Sequence, residues 1–416
     1  MNQPEAERYL RSLELFGMRF GLDRMRRLMT TLGNPQLKFE SVHVVGTNGK
    51  SSTTRMIAGI LARHGLRTGA YLSPHLVSFG ERIRIQDGDL EAAEFGAAVG
   101  RAARAAELVD RASGGEDPVT QFEALTAAAY SELARSGVEV AVIEAGLGGR
   151  YDATNVIASK VQVLTSVGLE HTRWLGPTLA DIAAEKLDVV QPGATLVLGH
   201  GLDEAVEQVA ERVASQRGAR IVRAGLDPGV AVGAPGTFQR RNFALARVAA
   251  EAYLGRLELY AVTAAAAEIR VPGRLQEIAQ APLTLVDGAH NTDGMQALTE
   301  SLPELVAGHD RVVAMLSILD DKDAAGMLSA LAGGRARIDA IVFTSSQNPR
   351  ALPPPTLQSL ATQVGGPPSE IVPDPLRALA RARELAGPRG VVIAAGSLYL
   401  IADLLADGGR ERAQSL

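Results

Sequence analysis

An α/β fold with mostly parallel sheets, divided over two domains, is what this sequence predicts, and three features predict it. Short β-branched runs alternate with Ala-rich helical stretches almost from end to end, the pattern of repeated strand, helix and strand units. Most of the predicted strands are near-continuously apolar, as strands covered on both faces must be. The apolar run Val42–Val45 leads through Gly46-Thr47-Asn48-Gly49-Lys50-Ser51 into a helical run from Thr53 to His64. Strand, glycine-rich loop and helix N-terminus therefore follow one another in that order.

Taken along the chain, strands are predicted at Val42–Val45, Gly69–Leu72, Val138–Ile143, Val161–Ser166, Thr195–Leu198, Leu283–Val286, Arg311–Ser317, Ala340–Thr344 and Val391–Ala394. The helix after the first loop carries Met56, Ile57, Ile60 and Leu61 on one face and stops at Gly65. From Leu202 to Ala231 the chain is polar and weakly patterned; Gly236-Thr237-Phe238-Gln239 then leads into an Ala-rich helical stretch that closes the first domain. Val271-Pro272-Gly273-Arg274 is a turn following an Ala-rich helix, and three or four strand and helix pairs lie beyond it. The boundary is placed near residue 270, giving domains 1–270 and 271–416. The proline-bearing stretches Asn348–Pro355 and Gly365–Pro368 read as loops of the second domain.

Composition narrows the chemistry. A chain of 416 residues with 46% hydrophobic content is long enough for two proper cores. Its formal net charge of −5 supplies no basic field, which argues against nucleic acid as the main partner. The absence of cysteine removes disulfides, thiolate zinc sites and cysteine nucleophiles together, so any metal must use oxygen or nitrogen ligands. Glu5, Glu7, Arg8 and Glu14 interrupt the first residues, unlike the apolar core of a signal peptide. No apolar run reaches membrane-spanning length. A cytoplasmic location is the expectation.

The loop Gly46 to Ser51 reads as a phosphate cradle. Backbone N–H groups of such a loop converge on anionic oxygens, the helix dipole adds positive potential and a lysine reaches the outer phosphates. A nucleoside triphosphate is the expected ligand. The usual G-x-x-x-x-G-K-[ST] spacing wants glycine where this chain has Val44, so the loop is a shortened variant. Glu144, at the C-terminal end of a predicted buried strand, stands where a Mg²⁺ partner belongs in such a site. The Gly-x-Gly-Gly that follows it, Gly146 to Gly149, lacks the strand-to-helix turn of a dinucleotide fingerprint.

Other strand ends carry candidates with two readings each. His171, after the strand Val161–Ser166, is a metal ligand or a satisfied loop histidine. Lys186, on the helix from Thr178, reads on its own as a solvated surface charge. Asp287-Gly288-Ala289-His290-Asn291 follows a predicted strand, where open α/β sheets bind ligands, and is otherwise a structural turn. Arg274 reaches a phosphate or forms a surface ion pair. Phe122 offers a face for ring stacking, or belongs to the core.

With these residues in hand, the chain resembles the folylpolyglutamate synthase and dihydrofolate synthase family of the Mur ligase superfamily. The resemblance runs through GTNGKSS (46–52), YLSPHL (71–76), ERIRI (81–85), TQFEALTAAA (120–129), EAGLGGRYDATN (144–155), GLEHTRWLG (168–176), AEKLD (184–188), PGR (272–274), DGAHN (287–291), DKD (321–323) and GSLYL (396–400). It implies an N-terminal P-loop ATPase domain, a smaller Rossmann-like C-terminal domain on the glutamate side, and an ATP-dependent amide ligase. In that family a pterin carboxylate takes the γ-phosphate of ATP, and the amine of L-glutamate then displaces phosphate from the acyl phosphate.

Residue by residue, the resemblance implies that Gly46, Thr47, Asn48, Gly49, Lys50 and Ser51 hold the phosphates, with Lys50 stabilising the transferring group. It implies Ser73, Glu144 and His171 as ligands of Mg²⁺, with Ser51 on the nucleotide side and two metal ions in all. Lys186 matches a lysine that the family carbamylates. Asn242, Arg274 and Asp287 match ATP contacts, with His290 in the same motif, so that the ATP site is expected to be completed from both domains. Thr120, Gln121, Phe122, Glu123, Tyr151, Asp152 and Ala153 match pterin segments, and Arg19 to Arg24 resembles a stretch near that pocket.

Departures from the family pattern are Ser52 for a glycine, Glu170 for an aspartate, Thr292 for a proline, and Leu187-Asp188 for Ala-Gly. None removes a functional group. A monomer is expected by the same resemblance. The competing readings are a Mur-superfamily ligase for another carboxylate and amino acid, a P-loop NTPase without ligase activity, and a folate-binding protein without catalysis. The segments TQFE and YDATN disfavour the first; Lys50, Glu144 and His171 disfavour the last.

Overall fold

The apolar runs assemble into two separate sheets. The computed structural model describes residues 1–13, 21–114 and 116–406. Among these the strands are β1 Glu40–Val45, β2 Thr68–Tyr71, β3 Ile83–Ile85, β4 Gly88–Asp89, β5 Val140–Glu144, β6 Val161–Leu164, β7 Thr195–Leu198 and β8 Arg220–Arg223, then β9 Gln276–Gln280, β10 Leu283–Val286, β11 Val312–Leu316, β12 Ala340–Phe343, β13 Ser369–Ile371 and β14 Val391–Ala395. The first eight form one sheet in the order β4-β3-β2-β5-β1-β6-β7-β8, and the other six form a second in the order β13-β12-β11-β14-β10-β9. Pairing is parallel except at β3 and β4 of the first sheet and β9 of the second.

The two sheets belong to two compact units. One takes Met1–His75, Phe79–Gly233 and Arg241–Ile269; the other takes Leu76–Ser78, Ala234–Arg240 and the chain from Arg270 onward.

In the first unit, β1 lies between β5 and β6, with Val44 opposite Glu144 and Val45 opposite Leu164. The chain leaves β1 towards β2 on one side and leaves β6 towards β7 on the other. The carboxyl ends of β1 and β6 therefore flank a topological switch point, where α/β sheets open a crevice. All five residues of β5 are buried, which is why they read as one apolar run ending in a lone acid. The Ala-rich helices Ala92–Ala112 and Gln121–Arg135 share a core with Tyr71, Phe79, Phe95 and Tyr130. A second cluster joins Leu164, Leu196 and Leu198 to Ile182's neighbours Ala183 and Leu187 and to Val206, Val209 and Ala210.

The second unit has its own cores, one holding Met295, Leu298, Leu316, Phe343 and Leu357, the other Val286, Val313, Ala382, Ala394 and Leu400.

The structure departs from the sequence reading where strands are short or lie at edges. β4, β8, β9 and β13 occupy the four sheet edges, and their exposed or half-exposed residues carry no apolar signature. The stretch 202–231 holds a helix, Glu204–Arg217, as well as β8. Asp203 caps it by accepting from Ala205 N at 2.8 Å, and Gly218 ends it at φ 61°. Only Val206, Val209, Ala210 and Ala214 of that helix are buried, a narrow stripe that polar neighbours conceal. The expected loop Asn348–Pro355 ends inside a helix, because Pro354 and Pro355 occupy the first turn of Pro354–Gln363, where a missing N–H costs nothing. Among the described residues no helix is long and apolar enough to cross a membrane.

Candidate active site

The glycine-rich loop follows β1 directly, and two of its glycines are dictated by space. A Cβ on Gly46 would lie 1.9 Å from Thr165 Oγ1, and one on Gly49 would lie 2.7 Å from Asn242 Oδ1. Both residues also hold positive φ, 149° and 84°, a region that favours glycine. Gly49 immediately precedes the helix Lys50–Arg63, so the loop delivers its amides to a helix N-terminus. The end of β6 fixes the loop from the side: Thr47 N donates to Ser166 O at 2.8 Å, Asn48 N to Ser166 Oγ at 3.0 Å, and Thr165 Oγ1 to Asn48 O at 2.7 Å. The sequence reading missed Thr165 and Ser166, although their place after an apolar strand is a signal for such a role.

Two lysines meet at one carbonyl. Lys50 Nζ donates to Gly46 O at 3.1 Å and to Thr47 O at 3.0 Å, while Lys186 Nζ donates to the same Gly46 O at 2.9 Å. Lys186 is 4% exposed, so the surface reading of this residue is wrong. Burial, reinforced by the neighbouring Lys50, brings its pKa down to about 7, against the pull of Glu170 and Asp152. Its backbone is pressed against the loop after β5: a Cβ on Gly149 would lie 2.5 Å from Lys186 O. Gly46, Thr47, Lys50, Gly146, Glu170, His171 and Lys186 all line one small cavity.

Glu144, the last residue of β5, is 1% exposed and faces the start of the phosphate helix. Its Oε1 accepts from Ser51 Oγ at 2.9 Å and its Oε2 from Ser73 N at 3.1 Å. His171 is the N-cap of the short helix Thr172–Leu175, with φ 53° and Nε2 4.0 Å from Glu170 Oε1. Among the described residues no three His, Asp or Glu side chains converge as a ready-made cation cage. The donor set fits Mg²⁺ all the same: that ion takes one or two carboxylates and fills its octahedron with water and phosphate oxygens. A carboxylate and a hydroxyl bonded to each other beside a phosphate cradle are such a set.

The pterin candidates divide. Thr120 and Glu123 form the capping box of the helix Gln121–Arg135, and Glu123 also takes Arg24 Nε at 3.1 Å on both oxygens. Gln121 donates to Leu10 O at 2.9 Å. Asp152 and Ala153 are buried, Asp152 accepting from Leu147 N at 2.8 Å and Thr154 N at 3.0 Å. Phe122 is half-buried, its ring 6.1 Å from that of Tyr71 and close against Gly146. Tyr151 is exposed and lines a wide cavity of about 740 Å³ together with Gly21, Leu22, Asp23, Arg26 and Arg150. Arg19 and Phe20 lie outside the described residues.

Asn242 belongs to the first unit, while Arg274, Asp287 and His290 cluster in the second. Asp287 follows β10 and accepts from Leu275 N at 2.9 Å and Ala289 N at 2.8 Å. Burial pushes its carboxyl up, and Arg274 opposes the shift. A Cβ on Gly288 would lie 2.1 Å from Arg274 Nη1, so the guanidinium lies across this glycine. His290 Nδ1 donates to Gly288 O at 2.8 Å. Asn291 caps the helix Thr292–Leu305.

The profile of the family described as Mur ligase, glutamate ligase domain, matches residues 273–398. The dihydrofolate synthase/folylpolyglutamate synthase of Mycobacterium tuberculosis is 34% identical over 391 residues, covering 83% of this chain and 78% of that protein. A solved folylpolyglutamate synthase of the same organism, complexed with ADP, superimposes with a TM-score of 0.89 at 30% identity, covering 99% of both chains. The bifunctional folylpolyglutamate synthase/dihydrofolate synthase of Yersinia pestis, complexed with AMPPNP and a Mn ion, gives a TM-score of 0.84 at 28% identity over 97% of each chain.

Gly49→Ala adds a methyl group where both φ and Asn242 forbid it. A loss of about ten- to hundredfold in nucleotide affinity is expected, measured by calorimetric titration of ADP, together with a loss of about 1–3 kcal/mol in folding stability from the strained backbone.

Lys186 makes stability depend on pH. Below about 7 the folded and unfolded chains both carry its proton and the burial penalty is fully present; between there and 10.5 only the unfolded chain keeps the proton, so stability rises with pH. Denaturant titrations in CO2-free buffer at pH 6 and pH 9 should show the native chain gaining about 2–3 kcal/mol relative to Lys186→Met. A constant difference between the two chains would show an ordinary, solvated lysine.

Proposed function

This chain belongs to the dihydrofolate synthase/folylpolyglutamate synthase family of ATP-dependent ligases, and from that premise we propose that it joins L-glutamate to the carboxylate of dihydropteroate, of a reduced folate, or of both. The observation that carries the reading is the bond from Ser51 Oγ to Glu144 Oε1, 2.9 Å long. It puts a hard anionic ligand against the first turn of the phosphate helix, the requirement for phosphoryl transfer.

In the proposed reaction a carboxylate oxygen of the folate-type substrate attacks the γ-phosphorus of ATP and ADP leaves. The amine of L-glutamate then attacks the acyl carbon of the resulting acyl phosphate, inorganic phosphate leaves, and the ammonium proton passes to solvent. No protein nucleophile is needed, in keeping with a chain without cysteine. The protein supplies positioning and charge neutralisation.

Within that scheme the amides of Gly46 to Ser51 cradle the phosphates, and Lys50 exchanges the carbonyls of Gly46 and Thr47 for the transferring phosphoryl group. Asn242 stands beside Gly49 on the nucleotide side. Arg274, Asp287 and His290 are assigned to nucleotide binding in the second unit. Glu144, Ser51, Ser73 and His171 would hold Mg²⁺, two ions by family resemblance, which when bound neutralises phosphate charge. A neutral amine at Lys186, accessible near pH 7, is the form that adds CO2, forming an N–C bond with loss of a proton and exchanging a cation for an anion. Phe122 and Tyr151 present the ring faces available to the pterin.

The decisive assay is ADP release with Mg-ATP and L-glutamate, adding dihydropteroate or tetrahydrofolate in turn and weighing the products. Pterin-dependent ADP and a mass gain of one glutamyl unit are expected, and Lys50→Ala should abolish both while folding like the native chain. ATP hydrolysis indifferent to pterin and glutamate would instead identify an NTPase without ligase activity.

A further inference from the structure

The hydroxyl of Thr154 carries one proton and stands between two buried groups. Its Oγ1 donates to Asp152 Oδ1 and lies 2.9 Å from Nε2 of His43 on β1. With the proton committed to a carboxylate, this oxygen can only accept from the imidazole, which assigns the ring proton to Nε2 and leaves Nδ1 a bare acceptor. Nδ1 indeed has no hydrogen-bond partner among the described residues, and the ring is 0% exposed. Burial brings the imidazole's pKa down to about 3, so the ring stays neutral. An unpaired buried acceptor is costly and an aliphatic side chain would avoid it. The residue needs a reason to be histidine.

The direction of the relay supplies one. Asp152 receives Thr154 Oγ1 and Thr154 N on one oxygen and Leu147 N, at 2.8 Å, on the other. Three donors from the protein thus engage both oxygens of this carboxylate. Asp152 is spent on holding the turn after β5. That turn has a face on each side. Gly146 and Leu147 line the cavity of the phosphate loop and Lys186, while a Cβ on Gly146 would lie 2.7 Å from Cζ of Phe122. The bonds that fix the phosphate loop itself run to Thr165, Ser166 and Lys186 and bypass the relay.

We propose that His43 is a positioning residue which, through Thr154 and Asp152, sets the turn Gly146–Leu147 as the wall between the phosphate cavity and Phe122, and so governs how the carboxylate substrate, not the nucleotide, is held. The inference rests on the ligase reading above.

The test uses His43→Leu and Thr154→Val in the full chain. Either should raise KM for dihydropteroate, or for tetrahydrofolate if that is the substrate turned over, by about tenfold or more while Kd for ADP moves by less than about twofold. His43→Gln, whose amide nitrogen reaches the place of Nε2, should restore KM. The double variant should be no worse than the singles, as for members of one network. Amide exchange in a peptide spanning 145–150 should quicken in both single variants, a readout that needs no turnover. If His43→Leu does not fold, Thr154→Val, which keeps the shape, decides. Unchanged exchange with unchanged KM overturns the proposal, as do equal shifts for pterin and ADP, additive effects, or a Gln variant that restores nothing. Should the native chain show no pterin-dependent ADP release, the ligase reading falls and the exchange comparison still judges the relay.

Discussion

The carbonyl oxygen of Gly46 is the point on which the candidate site turns. It accepts from Lys50 on one side and from Lys186 on the other, and its residue can be nothing but glycine against Thr165. Burial of Lys186, with the charge of Lys50 beside it, disfavours the protonated amine, which is why Lys186 sits near neutrality. The loop therefore does more than cradle phosphates. Through Lys50 and the Gly46 carbonyl it also adds to the effect of burial on a lysine 140 positions further along the chain.

Several residues that sequence similarity marks for ligand binding are, in this chain, part of its internal bonding. Glu123 closes a capping box and balances the buried Arg24. Asp152 spends its oxygens on Leu147 and Thr154. Asp287 holds the amides of Leu275 and Ala289. A loop that must present backbone groups to an anion cannot be shaped by that anion beforehand, so its geometry has to be set by protein partners. Carboxylates accepting two or more amides do this well, since each bond is charge-assisted.

How much of this the sequence could reveal follows from burial. Central strands such as β1, β5 and β14, buried along nearly their whole length and mostly apolar, were legible because burial on both faces leaves a near-continuous signal. The edge strands β4, β8, β9 and β13 were not, since their polar residues read as loop. Among site residues, the Gly46 loop and Glu144 announce themselves by chemistry and position. Lys186 does not: on a helix of mixed polarity nothing marks it as 4% exposed. That burial comes from segments distant in sequence, the loops that carry Gly46, Gly146 and Glu170 around its side chain. Thr165 and Ser166 were missed for a related reason, because their place after β6 is the one signal they give and hydroxyls that bond a neighbouring loop add no periodicity to it.

A ligase of this kind has to hold a carboxylate, a triphosphate and an amine without contributing a covalent intermediate, so its catalytic power must come from order established before substrates arrive. The two groups of candidate residues are each ordered within their own unit. In the first, β6 grips the phosphate loop and Ser51 is already bonded to Glu144. In the second, Arg274 lies across Gly288, a glycine whose backbone N–H is itself bonded to Gly273 O at 2.8 Å. Both arrangements are held by bonds within the protein. In the proposed scheme, binding asks of these residues only exchanges of partner: Lys50 from carbonyl to phosphate, Glu144 from serine to cation. Exchanges of that sort keep each polar group satisfied before and after, which holds the reorganisation cost of the reaction low.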